Sequence, residues 1–434
     1  MATMKVRLEY GKNGLEVELP DKNVVGVLRL QEAVRAADAA EAVRTAIENA
    51  IGARPLTELA RGKTDACIVV CDVTRPVPNP IVLGEVLDAL ELGGLASNKV
   101  KVLIATGTHR PNDEKELRNM LGDRVMAECE VINHFCTDTD DMVHLGASPN
   151  GVPIWLNRHY VQADLKITAG MIEPHFMAGF AGGRKMVMPG VAALETIQAW
   201  HSPQFLEDPL ATNGVIEDNP VHVEATWIAN QCRPDFIVDV ALDNEKKIAK
   251  VFAGDMEQAW ETGVRYVQGL TQAEIQGPID ICVTTCGGHP LDLTYYQTVK
   301  GMVGPLPIVR PGGAIIVASE CSEGIGNHHF RDALFRVGDI RTWLARAISG
   351  EWERVADQWQ IEELAKAVRH HRVYVVASGI SQEELAQLHV RPAPTVEAAV
   401  EECMRDFGPE SRICVIPKGP YVLPVLKSVS SSDS

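Results

Sequence analysis

The chain has no excess of positive charge. Its 434 residues include 41 Lys and Arg against 58 Asp and Glu, a net charge of −17. Nucleic acid and anionic membrane both reward a basic face, so neither is expected as the main partner. A local basic pocket for a small acidic molecule stays open. Paired-cysteine spacing is also missing. Ten cysteines are present, but neither Cys67 and Cys71 nor Cys282 and Cys286 make a Cys-x-x-Cys. They read as reduced thiols of a cytoplasmic protein. No run approaches transmembrane length, and Met-Ala-Thr-Met-Lys lacks the apolar core of a signal segment. Two nucleotide signatures are absent. A P-loop needs Ser or Thr after its lysine, whereas Lys185 precedes Met186 and the glycine spacing differs. No Gly-x-Gly-x-x-Gly follows the first strands. His201 belongs to no His-Glu-x-x-His pattern, so sequence alone does not make a zinc site.

What is present is an alternation. Lys5 to Tyr10 and Leu15 to Leu19 flank Gly11-Lys-Asn-Gly14 and predict a hairpin. Short apolar runs at Ala66–Cys71, Val100–Ala105, Glu130–Phe135, Leu165–Thr168 and Phe236–Ala241 predict buried strands. Helical spacing falls between them, with Asp113 as an N-cap. The pattern restarts near Gly277, with strands at Ile279–Thr285, Gly313–Ala318, Arg372–Ala377 and Arg412–Pro417. The expected fold class is α/β, as two domains with mostly parallel sheets. The first spans 1–275 and the second 276–427, with a Ser/Asp-rich disordered tail at 428–434. Right-handed crossovers put all strand-to-helix loops on one edge of a sheet, where ligands bind. Asp72, Arg75, His109, His175 and Lys185 all follow predicted strands and should gather there.

The densest stretch is Glu173-Pro-His-Phe-Met-Ala-Gly-Phe-Ala-Gly-Gly-Arg-Lys185. Gly182 and Gly183 suit a backbone that must approach a ligand, and a desolvated Lys185 is nucleophilic. The plain alternative is a glycine-rich turn with two solvated cations. His109, His175 and His201 sit at element ends, as general acid/base or ligand groups do. A lone histidine is more often structural. His328, His329, His370 and His371 read as surface. Arg75 suits a carboxylate or phosphate, although Asp72-Val-Thr-Arg75 also reads as a capped turn. Tyr296, Gln297 and Lys300 share a helix whose tyrosine can be core and whose other two can be solvated.

Taken together, Asp72-Val-Thr-Arg-Pro, Gly107-Thr-His-Arg-Pro, the Glu173–Lys185 stretch, His201, and Tyr296-Gln297 with Lys300 resemble the lactate racemase family in this order. The resemblance implies two α/β domains with the active site in the cleft between them. It implies a nickel-pincer nucleotide, Ni(II) pyridinium-3,5-bisthiocarboxylic acid mononucleotide, made by separate cofactor-biosynthesis enzymes. Lys185 would tether it through a thioamide and His201 would ligate nickel. Asp72, Thr74, Arg75, Gly182 and Gly183 would contact the cofactor. Arg75, Tyr296, Gln297 and Lys300 would contact the substrate. His109 and His175 would be the acid/base pair. The implied reaction inverts the α carbon of a 2-hydroxy acid through hydride transfer and a planar 2-keto acid, which avoids a carbanion. Lactate, malate, other aliphatic or aromatic hydroxy acids and sugar acids all fit. Two other readings stand beside it: a non-catalytic α/β binding protein for a nucleotide or organic anion, and a zinc-type hydrolase that needs a third ligand.

Overall fold

The computed structural model describes residues 2–352, 355 and 357–427. The expected tail at 428–434 lies outside the described residues. Two six-stranded sheets organise the chain. The first runs Ile248–Gly254, Phe236–Leu242, Leu165–Met171, Ala66–Cys71, Val100–Ala105, Glu130–Asn133. Every neighbouring pair in it is parallel except the edge pair of Ile248–Gly254 with Phe236–Leu242. The second runs Arg391–Pro392, Arg372–Val376, Val309–Ala318, Ile279–Thr285, Ile413–Ile416, Val24–Val27, all parallel. Parallel strands are buried on both faces, which is why runs such as Ala-Cys-Ile-Val-Val-Cys show no alternation. Each sheet accordingly has an apolar cluster on each face.

Strand order creates two switch points. In the first sheet the chain starts at Ala66–Cys71, moves outward through Val100–Ala105, then returns to the other side of its start with Leu165–Met171. In the second, after the edge strand Val24–Val27, it resumes at Ile279–Thr285, moves outward through Val309–Ala318, and returns with Ile413–Ile416. At such a reversal neighbouring loops diverge and leave a crevice at the carboxyl ends.

Several expectations need correction. The residues up to Val27 do not join the first sheet. Val24–Val27 extends the second sheet beside Ile413–Ile416, and the Thr3–Leu8/Leu15–Pro20 hairpin buries Val6, Leu8, Val17 and Leu19 against it. Sequence order cannot reveal this, because the pairing spans almost the whole chain. The stretch between residues 328 and 348 forms two helices, His328–Arg336 and Ile340–Ile348. Gly338 at φ +64 turns the chain and Asp339 caps the second. The antiparallel edge strand Ile248–Gly254 and the hairpin Met142–Ala147/Pro153–Asn157 were not legible in the sequence. His371 is half-buried, its Nδ1 3.3 Å from the Ala367 carbonyl, whereas His328, His329 and His370 are exposed.

Candidate active site

Both switch points open onto one cavity of about 400 Å³. The first sheet contributes Thr74 and Arg75 from the loop after Ala66–Cys71, and Glu173, His175 and Phe176 from the loop after Leu165–Met171. The second contributes the Gly287–Leu291 loop, Lys418 and Tyr421 from the loop after Ile413–Ile416, and Lys300. Parallel topology therefore brings residues far apart in sequence to one place.

One side of the site is built on Asp72. Its carboxylate is nearly buried and lies 2.7 Å from His109 Nδ1. The Thr74 hydroxyl donates to its other oxygen at 2.5 Å. Burial pushes this carboxyl up, but His109, Thr74 and the Arg75 charge outweigh burial and hold it below the usual carboxylate range. An ionised Asp72 accepts from Nδ1–H and leaves His109 Nε2 with a free lone pair. His109 is about half exposed, so Nε2 can reach a bound molecule. Arg75 Nε pairs with Glu173 Oε1 at 3.1 Å.

The other side is built on a short hairpin, Pro174–His175 against Gly179–Phe180. Its turn aims the Met177 and Ala178 N–H groups at His175 Nδ1, at 3.3 and 3.2 Å. A backbone N–H can only donate, so Nδ1 carries no proton and the neutral ring holds its proton on Nε2. Nε2 lies 2.8 Å from Lys185 Nζ. The nitrogen facing an Nε2–H must accept, so Lys185 is a neutral amine. Burial, then the charges of Arg184, Arg75 and Lys300, push Lys185 well below the ordinary lysine range. Burial and the nearby Lys185, Lys300 and Arg75 push His175 down as well. Phe176 stacks on His175 with ring centroids 5.0 Å apart, and Lys300 Nζ lies 5.6 Å from the Phe176 ring. Burial, followed by the Arg75 charge, pushes Lys300 down to about 8. No described carboxylate lies within ion-pair distance of Lys300.

His201 is placed by the C-terminal end of helix Leu194–Trp200, its N–H bonded to the Ile197 carbonyl. Its ring is sandwiched between Trp200 and Trp359, at centroid distances of 4.2 and 4.6 Å. Nδ1 is buried without a partner. Burial, then Lys185, push His201 down to about 3, so the imidazole is neutral, as a metal ligand must be. Among the described residues no three His, Cys, Asp or Glu converge to hold a metal. A neutral lysine amine and one free imidazole fit a tethered metallocofactor.

Of the other expected residues, Tyr296 donates to Asp357 Oδ1 at 3.3 Å and accepts from Trp359 Nε1 at 3.2 Å. Gln297 Oε1 is buried without a partner. Neither lines the cavity, whereas Lys300, one turn further along the helix, does. Gly182 and Gly183, at φ +79 and +52, shape the turn before Lys185. Three participants were not singled out from sequence. Glu173 stood inside the dense stretch and pairs with Arg75. Phe176 stood there too and covers His175. Trp359 carries no local signal, because it reaches His201 from a helix of the other sheet.

Two family models match the chain: the lactate racemase N-terminal domain over residues 10–214 and the lactate racemase C-terminal domain over residues 275–423. Lactate racemase of Thermoanaerobacterium thermosaccharolyticum is 34% identical over 421 residues, 96% of this chain and 98% of that protein. Lactate racemase of Lactiplantibacillus plantarum is 35% identical over 417 residues, 95% and 98% of the two chains. The structure of the T. thermosaccharolyticum lactate racemase apoprotein superposes with a TM-score of 0.91, covering 98% of this chain and all of that one. A Thermotoga maritima protein, 20% identical with a TM-score of 0.68, covers 89% of this chain and 98% of its own, and shares the fold.

Proposed function

The chain belongs to the lactate racemase family and is an isomerase of the racemase type, and from that premise we propose that it inverts the α carbon of a 2-hydroxy acid, lactate first among them. The observation that carries this reading is the 2.8 Å contact of Lys185 Nζ with His175 Nε2, with His175, Lys300 and Arg75 lining a cavity shared by both sheets. An unprotonated lysine and two histidines around a cationic pocket are what anchored hydroxy-acid chemistry requires. A non-catalytic binding protein needs no unprotonated amine.

Lys185 would hold a nickel-pincer nucleotide covalently, His201 would ligate its metal, and Asp72, Thr74, Arg75, Gly182 and Gly183 would lie along it. When bound, that group supplies a reversible hydride acceptor for the α carbon. The remaining work falls to the chain. His109 Nε2 takes the hydroxyl proton, with Asp72 holding the ring in the required tautomer. With Lys185 engaged in holding that group, His175 Nε2–H would be free for the substrate oxygen. Two histidines let the site run in both directions. Lys300, with no carboxylate partner, takes the substrate carboxylate, and Arg75 supports it. Tyr296 and Gln297 would complete the substrate wall from the second sheet. The same proposal takes residue 275 as the passage from one unit to the next, the cavity as the cleft between them, and the cytoplasm as the compartment.

Co-production with cofactor-making enzymes, followed by intact mass, nickel analysis and a chiral assay on a panel of 2-hydroxy acids, tests the reading. A mass increment on Lys185, bound nickel and loss of optical purity are expected. Lys185→Ala should abolish the increment. His109→Ala should keep the increment and lower turnover by about 100-fold or more, the scale of general acid/base catalysis. An unmodified Lys185 without nickel, and no inversion of any acid, would sink the proposal.

A further inference from the structure

Behind Lys185 lies a carboxylate that the proposed reaction does not use. Asp239 sits in strand Phe236–Leu242, fully buried, in register with Gly170 on the neighbouring parallel strand. Paired residues on parallel strands point to the same face, so a side chain at 170 would compete with Asp239 for space. A Cβ there would stand 2.9 Å from Asp239 Oδ1. Gly182 makes room on the other side, where a Cβ would stand 2.8 Å from Oδ2 and 2.9 Å from the Met171 carbonyl. Two glycines thus leave a slot for one carboxylate. Oδ2 accepts the Gly183 N–H at 2.7 Å, while Oδ1 completes no hydrogen bond.

We infer that Asp239 is a positioning residue for Lys185, its carboxylate holding the Gly182–Gly183 turn so that the lysine amine faces His175. That role rests on the tethering proposed for Lys185. The turn Gly183–Met186 is short, so the place of its first N–H decides where the lysine side chain starts. Trp260 holds the same turn from the opposite side, donating Nε1–H to the Ala181 carbonyl at 2.8 Å. Arg184 points away from Lys185, its guanidinium 4.2 Å from the Trp260 ring centre and its Nη2 donating to the Ala178 carbonyl at 2.8 Å. Only the lysine of the pair is left to enter the site. Burial pushes the Asp239 carboxyl up to about 7, against the Gly183 N–H and the Arg184 charge. A core position that keeps such a group at this cost is one where a fixed acceptor is needed.

Carbamylation by potassium cyanate at neutral pH, on the protein made without cofactor enzymes, reads the amine directly. The unprotonated nitrogen adds to the carbon of isocyanic acid, a proton moves to the cyanate nitrogen, and nothing leaves. Peptide mass spectrometry gives the rate at Lys185 relative to exposed Lys12 and Lys115. Asp239→Asn keeps an acceptor for the Gly183 N–H and should stay within about two-fold of wild type, whereas Asp239→Ala should lower the ratio about five-fold or more, the scale of one hydrogen bond. Gly182→Ala should lower it comparably by displacing the same contact, and the double variant should be no slower than either single, because one interaction can be lost only once. An unchanged ratio in Asp239→Ala or Gly182→Ala, or a double variant that multiplies the two effects, overturns the inference. So does loss of cooperative melting in all three single variants, which would make Asp239 a folding residue alone. Failure of the tethering reading would appear separately, as a Lys185 without a mass increment after co-production.

Discussion

His175, which lines the cavity, and His109, which does not, are chemically different before any substrate arrives. Asp72 fixes the proton of His109 on Nδ1, and two backbone N–H groups exclude the proton from Nδ1 of His175. One ring thus offers a lone pair at Nε2 and the other a proton. Replacing Asp72 with Asn tests the first half. An Asn amide can donate to Nδ1, which moves the ring proton to Nε2 and removes the base. Turnover per loaded cofactor should fall about 100-fold or more, by analogy with the tautomer role of the carboxylate in a Ser-His-Asp triad. A loss confined to KM would count against this role. Asp72, Thr74, Arg75, His109, His175 and Lys185 stand out in the sequence because charged and glycine-rich loops follow apolar runs, and His201 because it closes a helix. The partners of Arg75 and His201 were not, because Glu173 and Trp359 acquire meaning only through contacts.

Among the elements, helix Gln358–Val368 departs most from what its sequence predicts. It begins at Gln358, and almost every residue on it is buried, including Gln358, Gln360, Glu362 and Glu363. An isolated amphipathic helix would expose such groups. Here the helix is covered on several sides. Trp359 packs on His201, and Gln360 donates to the Tyr296 carbonyl. Lys366 Nζ donates to the Ala211 carbonyl at 3.2 Å, and Arg369, just beyond the helix, pairs with Glu207 at 2.7 Å. Glu362 carries the electrostatic cost. Burial first, then Glu363 and Glu207, push it up to about 8, against its bond from Gln358 and the charge of Lys366. Its folded pKa lies above the unfolded value, so the folded state holds a proton that the unfolded chain has released. Stability from this group is therefore greatest at low pH and lost as pH rises from about 4.5 to about 8. Glu362→Gln should remove that dependence. Thermal melts at pH 5 and pH 9 should show the variant gaining at least about 2 °C on wild type at the higher pH. Equal gaps at both would refute the assignment.

At the scale of the whole molecule, the chain's beginning completes the sheet built mostly by its end. Val24–Val27 covers the outer edge of Ile413–Ile416, and the hairpin before it closes one apolar face. Removing residues 2–28 would uncover an edge strand and leave Ile281, Val283 and Val415 without their cover. The truncated protein should lose cooperative melting of its second sheet or aggregate, as circular dichroism and size-exclusion chromatography would report. A monomer that melts like the full chain would contradict this. Long-range closure also explains the cavity. Its walls come from loops that follow strands of both sheets, and each wall is incomplete without the other sheet.

The sequence by itself determined the parts that local physics controls. Buried parallel strands must be continuous apolar runs, their loops must carry the polar chemistry, and a turn tight enough to present Lys185 needs Gly182 and Gly183. It also carried the ordered motifs by which the chain resembles its family. Only the tertiary structure decided which groups meet. It set His175 on Lys185, closed Trp359 over His201, turned Asp239 toward Gly183, and gave residues 24–27 to the far sheet. The reason is range. Propensity and periodicity act over a few residues, whereas protonation states and site walls depend on contacts between residues that only the folded topology brings within a few ångströms.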